Sequence, residues 1–303
     1  MYVPLHVHTA VGSIKDSILK IPEYIQKGKE LGLSHLAVTD HGSMAAAFLF
    51  QKACQAADIT PIIGMEAYEE SETDAYNHLV LLASTQEGLE NLVLLHNKAH
   101  IDNQQGRLSL VSKDMLRDHG KGIIALSACV SGSIPKAILS KNDEKVRELV
   151  EFYKTCFDAF YLEIQPGNFP DQRIVNTWIA EHAHTLQTPV VVTNDVHYLN
   201  PEDYEIHEMH MCYDGYVEFK DSSSVTLNSS STPDLEEQPE EDQAAKKKTR
   251  MFQKGVLKYP DTCYYVMDET DLRGRLSYLS EDIVNESILN TEKIARSCTA
   301  TFD

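Results

Sequence analysis

The sequence lacks any long apolar run. No stretch of its 303 residues approaches the roughly 18 consecutive apolar residues that a membrane-spanning helix needs. The first residues also lack the basic segment, apolar run and small-residue cleavage site of a secretory leader. Because 42% of the residues are hydrophobic and 24% are charged, the chain has the composition of a globular protein with a sizeable core. We therefore expect a cytoplasmic protein with no membrane contact.

Paired cysteines and clustered positive charges are also missing. The six cysteines are scattered without short repeated spacings, so neither a disulfide framework nor a CxxC zinc site is indicated. Lysine and arginine number 27 against 46 aspartates and glutamates, which gives a formal net charge of −19. Broad electrostatic capture of nucleic acid is disfavoured, because phosphate contacts need clustered cations. If DNA is the substrate, metal cations must neutralise its phosphates.

A glycine-rich GxGxxG turn is absent after the first predicted strand, which removes the main support for a dinucleotide-binding fold. The sequence instead has short apolar strand patterns that alternate with amphipathic helix patterns, from YVPLHVH to PVVVTNDVHY. This alternation predicts parallel βα units. About seven strands can be counted up to Tyr198, so we predict an α/β fold with a closed or nearly closed barrel.

Composition divides the chain into three parts. Residues 1–213 carry the βα pattern and form the predicted barrel. Residues 214–258 contain a serine-rich block, an acidic block and the basic run KKKTR, and we predict a disordered insertion there, although the basic run could also touch phosphates. Residues 259–303 are predicted to pack on the barrel as a helical segment, with an apolar stripe from Glu281 to Ser297.

Side chains that can bind metals follow several of the predicted apolar strands. His6 and His8 lie two residues apart in the first strand and therefore point to the same face. The last strand ends with the same spacing, in Asp195 and His197. In a parallel α/β barrel the carboxyl ends of the strands meet at one mouth, so these side chains are expected to converge. Further candidates at strand ends, or in the loops behind them, are Asp16, Asp40, His41, Glu66 and Cys129.

The candidate side chains also indicate which metals would bind. Imidazole and carboxylate mixtures suit zinc, manganese or iron, whereas calcium and magnesium prefer oxygen ligands alone. The candidates outnumber the ligands of one ion and include a carboxylate that could bridge. We therefore predict two or three divalent metal ions (Zn, Mn or Fe), an arrangement that can hold both oxygens of a phosphoryl displacement.

Other histidines have no such position. His78 precedes its strand, and at the start of a parallel strand it would lie at the wrong end of a barrel. We interpret the rest as structural or exposed: His35, His96, His100, His119, His182, His184, His207 and His210.

Six motifs in a fixed order resemble a known family. HxH near the N-terminus is followed by TDHG, GMEAY, HLVLLA, ALSAC and TNDVHY. In this order they resemble the PHP (polymerase and histidinol phosphatase) domain, in the version that opens the alpha subunit of bacterial DNA polymerase III. The resemblance is strong over residues 1–213 and weak from Cys263 onward.

The resemblance implies a distorted seven-stranded (β/α)7 barrel of the PHP type with a trinuclear metal centre at its mouth. It gives His78 a role as ligand, makes Glu66 the bridge between metals, and keeps Cys129 as a thiolate ligand. The loop that leads to Asp16 is one residue longer than the usual form in this family. The implied metal ligands are His6, His8, Asp16, His41, Glu66, His78, Cys129, Asp195 and His197. We expect catalysis to depend on His8, Glu66, Asp195 and His197.

The activity that the resemblance implies is metal-dependent phosphoester hydrolysis, as a 3′→5′ exonuclease or proofreading activity. The implied partners are a DNA 3′ end and a polymerase core or other replisome subunits. The polymerase active site itself is expected to be absent, because the chain has no Asp-x-Asp pair of the kind that a polymerase palm uses to hold metals. The chain is then either a piece of a longer or split polymerase or a free-standing PHP protein, and both readings stay open.

Three alternatives compete with the exonuclease. The first is a small-molecule phosphatase of the histidinol-phosphatase type. The second is an amidohydrolase-type enzyme, which normally bridges its metals with a lysine where this chain has Glu66. The third is a non-catalytic scaffold that stabilises a polymerase or recruits a separate exonuclease, and an intact set of ligands argues against it.

Overall fold

The structure, a computed structural model, describes residues 1–212 and 259–303. The predicted insertion at 214–258 lies outside the described residues. The strands are β1 His35–Val38, β2 Thr60–Glu69, β3 Asn77–Ala83, β4 Gln104–Gln105, β5 Leu108–Val111, β6 Ile123–Leu126, β7 Ala159–Ile164 and β8 Val190–Val192. The α-helices are α1 Ile21–Glu30, α2 Ala47–Gln55, α3 Gln86–Ile101, α4 Lys113–His119, α5 Ser133–Leu139, α6 Asp143–Cys156, α7 Pro170–His182, α8 Tyr204–Cys212, α9 Glu269–Arg275 and α10 Glu281–Ser297.

The strands of the described residues form one mixed sheet. Its order is β4-β5-β2-β3-β6-β7-β8, and β1 also pairs with β2. The pairs β1–β2, β6–β7 and β7–β8 are parallel, as predicted, but β3 runs antiparallel to both β2 and β6. The reason is the short connection between β2 and β3, because an antiparallel neighbour needs only a turn whereas a parallel one needs a long crossover. The α/β class is therefore confirmed, and the expectation of parallel units is wrong at β3.

The segment that carries the first predicted histidine pair lies between β1 and β8. Val7 forms a single bridge with Val196, where His8 N donates to the Val196 carbonyl at 2.8 Å. On the other side, Thr39 N donates to the Val7 carbonyl at 2.8 Å. Regular strand pairing over the described residues therefore does not close the sheet into a barrel. The sheet has eight strands instead of the predicted seven, because β4 and β5 add a hairpin and the first segment forms only a bridge.

Two strands, β6 and β8, are apolar along their whole length. Every residue of β6 and β8 is buried, as expected for strands that helices cover on both faces. The predicted helical stripe at Glu281–Ser297 forms α10, which buries Val284 and Ile288. Asn290 of α10 donates a side-chain hydrogen bond to the Val190 carbonyl of β8 at 2.8 Å. No helix within the described ranges has the length and apolar character needed to cross a membrane.

The C-terminal residues also contact the start of the chain. The Thr291 hydroxyl of α10 accepts a hydrogen bond from Val3 N at 3.0 Å, and a carboxylate oxygen of Glu269 accepts one from Tyr2 N at 3.0 Å. These contacts hold the beginning of the histidine-bearing segment against α9 and α10. The division into parts at 213 and 259 stays a prediction.

Candidate metal centre

The two predicted i, i+2 pairs face each other at one end of the sheet. His8 Nε2 lies 3.0 Å from Asp195 Oδ1, and His6 Nε2 lies 3.3 Å from the same oxygen. His197 lies beside them, with its ring centroid 4.5 Å from that of His8. Asp195 has φ 51°, in the left-handed region that aspartate tolerates better than most residues. This backbone conformation belongs to a residue of the cluster, as is common for strained positions at functional sites.

Glu66 occupies the middle of the cluster. Its Oε1 lies 3.1 Å from His6 Nε2 and 2.9 Å from His78 Nδ1. Its Oε2 lies 2.6 Å from His41 Nδ1 and 3.7 Å from His8 Nε2. The side chain is fully buried. Each carboxylate oxygen therefore faces two imidazoles, an arrangement that suits a carboxylate between two metal ions.

Three overlapping groups of side chains could each hold a metal ion. Within each group, one ligand atom per residue lies within 4.8 Å of the others. His8 and His41 each belong to two groups, so neighbouring ions would lie next to the same residues. They are His6–His8–Asp195, His8–His41–His197 and His41–Glu66–His78.

Buried polar atoms in this cluster make no hydrogen bond of acceptable geometry with any described residue, although they lie close to one another as imidazole–carboxylate pairs. An unpaired buried polar atom costs about 1–3 kcal/mol, so several together call for an explanation such as a bound ion. All of them are nitrogens or carboxylate oxygens, the atoms that zinc, manganese and iron accept as ligands. The residues present therefore fit divalent metal ions. The atoms are His6 Nε2, His8 Nε2, Asp16 Oδ1, both ring nitrogens of His41, both carboxylate oxygens of Glu66, and Asp195 Oδ1.

Asp16 and Cys129 lie at the edge of the cluster. Asp16 Oδ2 is 3.0 Å from His41 Nε2, and Cys129 Sγ is 3.5 Å from His78 Nδ1. Among the described residues, neither belongs to one of the three-ligand groups. Both are within reach of the centre, and their assignment as ligands stays a prediction.

His78 joins the cluster because β3 is reversed. Its Cα pairs with that of Tyr68 near the carboxyl end of β2. The start of β3 therefore lies at the same end of the sheet as the ends of the parallel strands. His78 would lie at the wrong end only if β3 were parallel, and β3 is antiparallel to both of its neighbours.

Asp40 was a further candidate, and the structure gives it another position. Its carboxylate accepts hydrogen bonds from Thr9 N at 2.6 Å, the Thr9 hydroxyl at 2.9 Å and the Ser13 hydroxyl at 2.8 Å. Gly12 lies so close that a Cβ there would be 2.3 Å from Asp40 Oδ2. Burial raises the pKa of Asp40 to about 6. Asp40 thus fixes the loop behind the first histidine pair, outside the three groups of possible ligands.

Sequence analysis missed Glu163, a buried residue of β7. Its Oε1 accepts hydrogen bonds from His6 Nδ1 and Gln165 Nε2, both at 2.8 Å, and a short one from the Thr193 hydroxyl. Its Oε2 accepts one from Ala128 N at 3.1 Å. The carboxylate thereby assigns the proton of His6 to Nδ1 and leaves Nε2 for the centre. The only sequence signal is one glutamate inside the apolar strand FYLEI.

Two histidines interpreted as structural or exposed support the loop that carries Asp16. His207 Nε2 donates to the Asp16 carbonyl at 2.6 Å, and His210 Nε2 donates to the Ile14 carbonyl at 2.8 Å. Both histidines lie on α8, and His207 is buried. α8 therefore fastens this loop at the edge of the cluster.

Tyr259 lies on the same side of the cluster as His207, with ring centroids 5.0 Å apart. Its hydroxyl lies 3.0 Å from His197 Nε2. His197 Nδ1 donates to the Asp195 carbonyl at 2.8 Å, so Nε2 is the acceptor of the tyrosine hydrogen bond. The contact makes Tyr259 a neighbour of the centre that sequence analysis did not identify.

Burial and mutual charge shift the pKa values of the cluster in opposite directions. Burial, together with His41 and His197, lowers the pKa of His8 to about 3. Burial acts to raise the pKa of Glu66, but its imidazole neighbours, His78 foremost, hold that pKa well below its usual range. Burial acts to lower the pKa values of His6 and His41, but the neighbouring carboxylates hold both well above the usual range. Because histidine binds metals as the neutral imidazole, metal binding would displace protons from these two side chains.

The mixed α/β sheet and the buried cluster define an α/β protein with side chains suited to metal binding. A family profile described as PHP domain matches residues 4–167, so the chain belongs to the PHP domain family. The predicted resemblance is therefore confirmed.

Relatives and a solved structure are similar to this chain. DNA polymerase III subunit alpha of Aquifex aeolicus is 37% identical over 227 residues, which cover 69% of this chain and 19% of that protein. The same subunit of Helicobacter pylori (strain J99) is 35% identical over 320 residues, covering 100% of this chain and 23% of that protein. The chain thus spans about a fifth of the length of these curated relatives. An amidohydrolase structure from Chromobacterium violaceum has a TM-score of 0.43 at 13% identity, covering 65% of this chain and 88% of that chain.

Proposed function

We propose that this chain is a metal-dependent phosphodiesterase that removes nucleotides from the 3′ end of DNA. The main support is the convergence of buried imidazole and carboxylate atoms around Glu66, at distances of 2.6 to 3.1 Å and without well-formed hydrogen bonds. The relatives are named DNA polymerase III subunit alpha, which supports a replisome context and a DNA substrate.

The side chains that would hold two or three Zn, Mn or Fe ions are the nine predicted ligands, with Glu66 between neighbouring ions. Bound metal ions would lower the pKa of water and stabilise the negative charge that develops on phosphoryl oxygens. Such ions would also offset the charge of −19, which otherwise repels a nucleic acid.

Other side chains around the centre orient the predicted ligands. Glu163 orients His6 through the bond to Nδ1, and the Ser13 hydroxyl, 3.2 Å from His8 Nδ1, does the same for His8. Each bond leaves Nε2 directed into the cluster, because a neutral imidazole has one donor nitrogen and one acceptor nitrogen. The complete burial of Glu66 keeps bulk water away from the middle of the site.

We also propose that residues 5–8 act as one strand of a distorted seven-stranded barrel. The other six strands are β1, β2, β3, β6, β7 and β8. The hydrogen bonds of Val7 with Thr39 and of His8 with Val196 support this arrangement. The parts 1–213 and 259–303 would then be a barrel and a segment packed on it.

The experiment that tests this function combines metal analysis with hydrolysis. Purified protein is analysed by mass spectrometry for bound metals, then assayed on 3′-labelled DNA and on histidinol phosphate. We expect two or three ions per chain and release of 3′ nucleotides, with activity lost in Asp195→Asn and in His8→Ala. Asp118→Asn, an exposed change on α4, is the matched control and should keep full activity.

Other outcomes assign the chain elsewhere. Hydrolysis of histidinol phosphate alone would make it a small-molecule phosphatase. Stoichiometric metal without turnover of any phosphoester would make it a scaffold, and a protein that binds no metal would refute the centre itself.

A further inference from the structure

We propose that Tyr68 and Tyr76, here called the tyrosine wall, form a stacking surface for nucleobases beside the metal centre. The site would then accept the unpaired end of a nucleic-acid strand in preference to a compact phosphate ester. This inference rests on the proposed phosphodiesterase function and specifies its substrate.

The register of β2 and β3 brings the tyrosine wall to the centre. Side chains two residues apart on a strand share a face, so Tyr68 follows Glu66 on the same face of β2. Tyr76, in the loop just before β3, precedes His78 by two residues, and His78 pairs with Tyr68 across the two strands. Glu66 is fully buried whereas both tyrosines are half-buried. The tyrosine wall therefore lies further out than Glu66, towards solvent.

Each ring of the tyrosine wall lies nearly parallel to the ring of a predicted ligand. The ring of Tyr76 is 8° from parallel to that of His78, with centroids 5.5 Å apart. The ring of Tyr68 is 9° from parallel to that of His41, at 6.1 Å. The two tyrosine rings are 4.5 Å apart and tilted by 56°, so each presents its own stacking face. A base that stacked on either ring would hold its phosphate next to the ligand histidines.

Gly42 keeps the Tyr68 ring in place. Its φ is +52°, and a Cβ at this position would lie 2.9 Å from a ring carbon of Tyr68. Only glycine allows both this backbone conformation and the close approach of the ring. Packing against Gly42 therefore holds the Tyr68 ring without the use of its hydroxyl.

The hydroxyl groups of the tyrosine wall have no structural use in the described part of the chain. Neither hydroxyl makes a hydrogen bond with a described residue. Tyr259, across the cluster, differs because its hydroxyl contacts His197. Loss of either hydroxyl in the tyrosine wall is therefore expected to leave the fold unchanged, so phenylalanine is a variant that keeps the ring alone.

Base stacking would provide binding energy that does not depend on positive charge. A protein with a net charge of −19 has few cations to follow a phosphate backbone. Aromatic side chains bind bases without using charge, and they accept every base because each has a π face. A small phosphate ester without a ring would gain nothing from the tyrosine wall.

The test measures binding without cleavage. The probe is a single-stranded oligothymidine with cleavage-resistant phosphorothioate links and a fluorescent 2-aminopurine at its 3′ end, added to the metal-loaded protein. We expect Tyr76→Leu and Tyr68→Leu each to raise the Kd about tenfold, within the range measured for loss of one base–aromatic stack. Tyr76→Phe keeps the ring and should stay within about twofold of the natural protein.

Two controls make the measurement specific to the base. An oligonucleotide with an abasic 3′ end should bind the leucine variants and the natural protein equally. Phe48→Leu removes an exposed ring on α2 and should change nothing. Metal content and thermal unfolding are measured for each variant, and Tyr76, in the loop before β3, supplies the answer if Tyr68→Leu fails to fold.

The outcomes separate this inference from the function on which it rests. If both leucine variants bind the base-ended oligonucleotide like the natural protein, or weaken both oligonucleotides equally, the stacking role is refuted and the phosphodiesterase stands. If the natural protein cleaves no phosphoester, the phosphodiesterase fails, and the binding comparison still reports on the tyrosine wall.

Discussion

Glu163 is not a predicted metal ligand, but it hydrogen-bonds a histidine that is. Glu163 lies behind His6 and accepts four hydrogen bonds, all from donors that the fold fixes in place. Second partners of this kind set the tautomer and orientation of metal-binding histidines. The hydrogen bond between Glu163 and His6 is therefore expected to affect metal affinity more than folding.

We predict that Glu163→Gln weakens metal binding by roughly 10–100-fold. The amide has the same size, but its NH2 group must face either His6 Nδ1 or Ala128 N, both of which donate. Competition with a chromophoric chelator measures the affinity. Glu69→Gln is the matched control, since Glu69 is a buried carboxylate of β2 that bonds the Tyr153 hydroxyl instead. Equal affinities in both variants would contradict the prediction.

Glu69 itself gives a prediction about pH. Burial raises its pKa, and the hydrogen bond from Tyr153 opposes this only in part. Because the folded pKa lies above the unfolded value of about 4.3, the contribution of Glu69 to stability is greatest below that value and declines as pH rises through the folded pKa. The free energy of unfolding of Glu69→Gln should therefore gain on that of the natural protein between about pH 4 and neutrality. Urea titrations across this range check it, and parallel pH profiles would refute it.

Residues of the cluster could be predicted where a polar side chain ends an apolar strand. His6, His8, Asp195 and His197 follow from a period of two, which the sequence displays directly. Glu163 could not be predicted, because its partner is on another strand and one glutamate in an apolar strand has many explanations.

The direction of one strand decides the composition of the cluster. β3 presents its first residues to the site, whereas β1, β2 and β8 present their ends. Apolar content predicted β3 as a strand but says nothing about its direction. The signal that could have revealed it was the short loop at residues 70–76, which has no room for a crossover helix. In contrast, helix α10 was predicted at its observed bounds, since its apolar stripe is continuous.

Helix α8 should control the mobility of the loop that ends at Asp16. We predict that His207→Ala increases hydrogen exchange of the amides at 13–17 and lowers the stability of this region by about 1 kcal/mol, because a partly buried carbonyl loses its donor. His182→Ala is the control, as that ring bonds only the Trp178 carbonyl of its own helix. Hydrogen exchange with mass spectrometry compares the two, and unchanged exchange at 13–17 would exclude the role of α8.

At the scale of the whole molecule, a metal centre made from distant segments should couple metal binding to stability. Metal ions that bind the folded chain alone at 100 times the Kd add about 2.7 kcal/mol. We predict that chelation lowers the Tm by roughly 5–10 °C and that added Zn²⁺ or Mn²⁺ restores it. Calorimetry of the natural protein beside Asp195→Asn, which should respond much less, measures the effect. An identical Tm with and without chelator would argue against a resident metal.

The alternation of strand and helix patterns predicted the α/β class. It did not predict whether the sheet closes into a barrel. Whether residues 5–8 pair as a strand depends on Thr39 and Val196, which lie far apart in the sequence. A local pattern cannot report such pairing, because the same apolar segment is compatible with a strand or with a single bridge.

The contacts of the first residues with α9 and α10 have a consequence for synthesis on the ribosome. Val3 and Thr291 are bonded in the folded chain but are translated 288 residues apart. At about 5–20 residues per second, the residues before the first histidine pair wait roughly 15–60 s for the helix that holds them. The pair itself meets Thr39 and Val196 earlier, so the attachment of the start of the chain to α10 is among the last contacts to form.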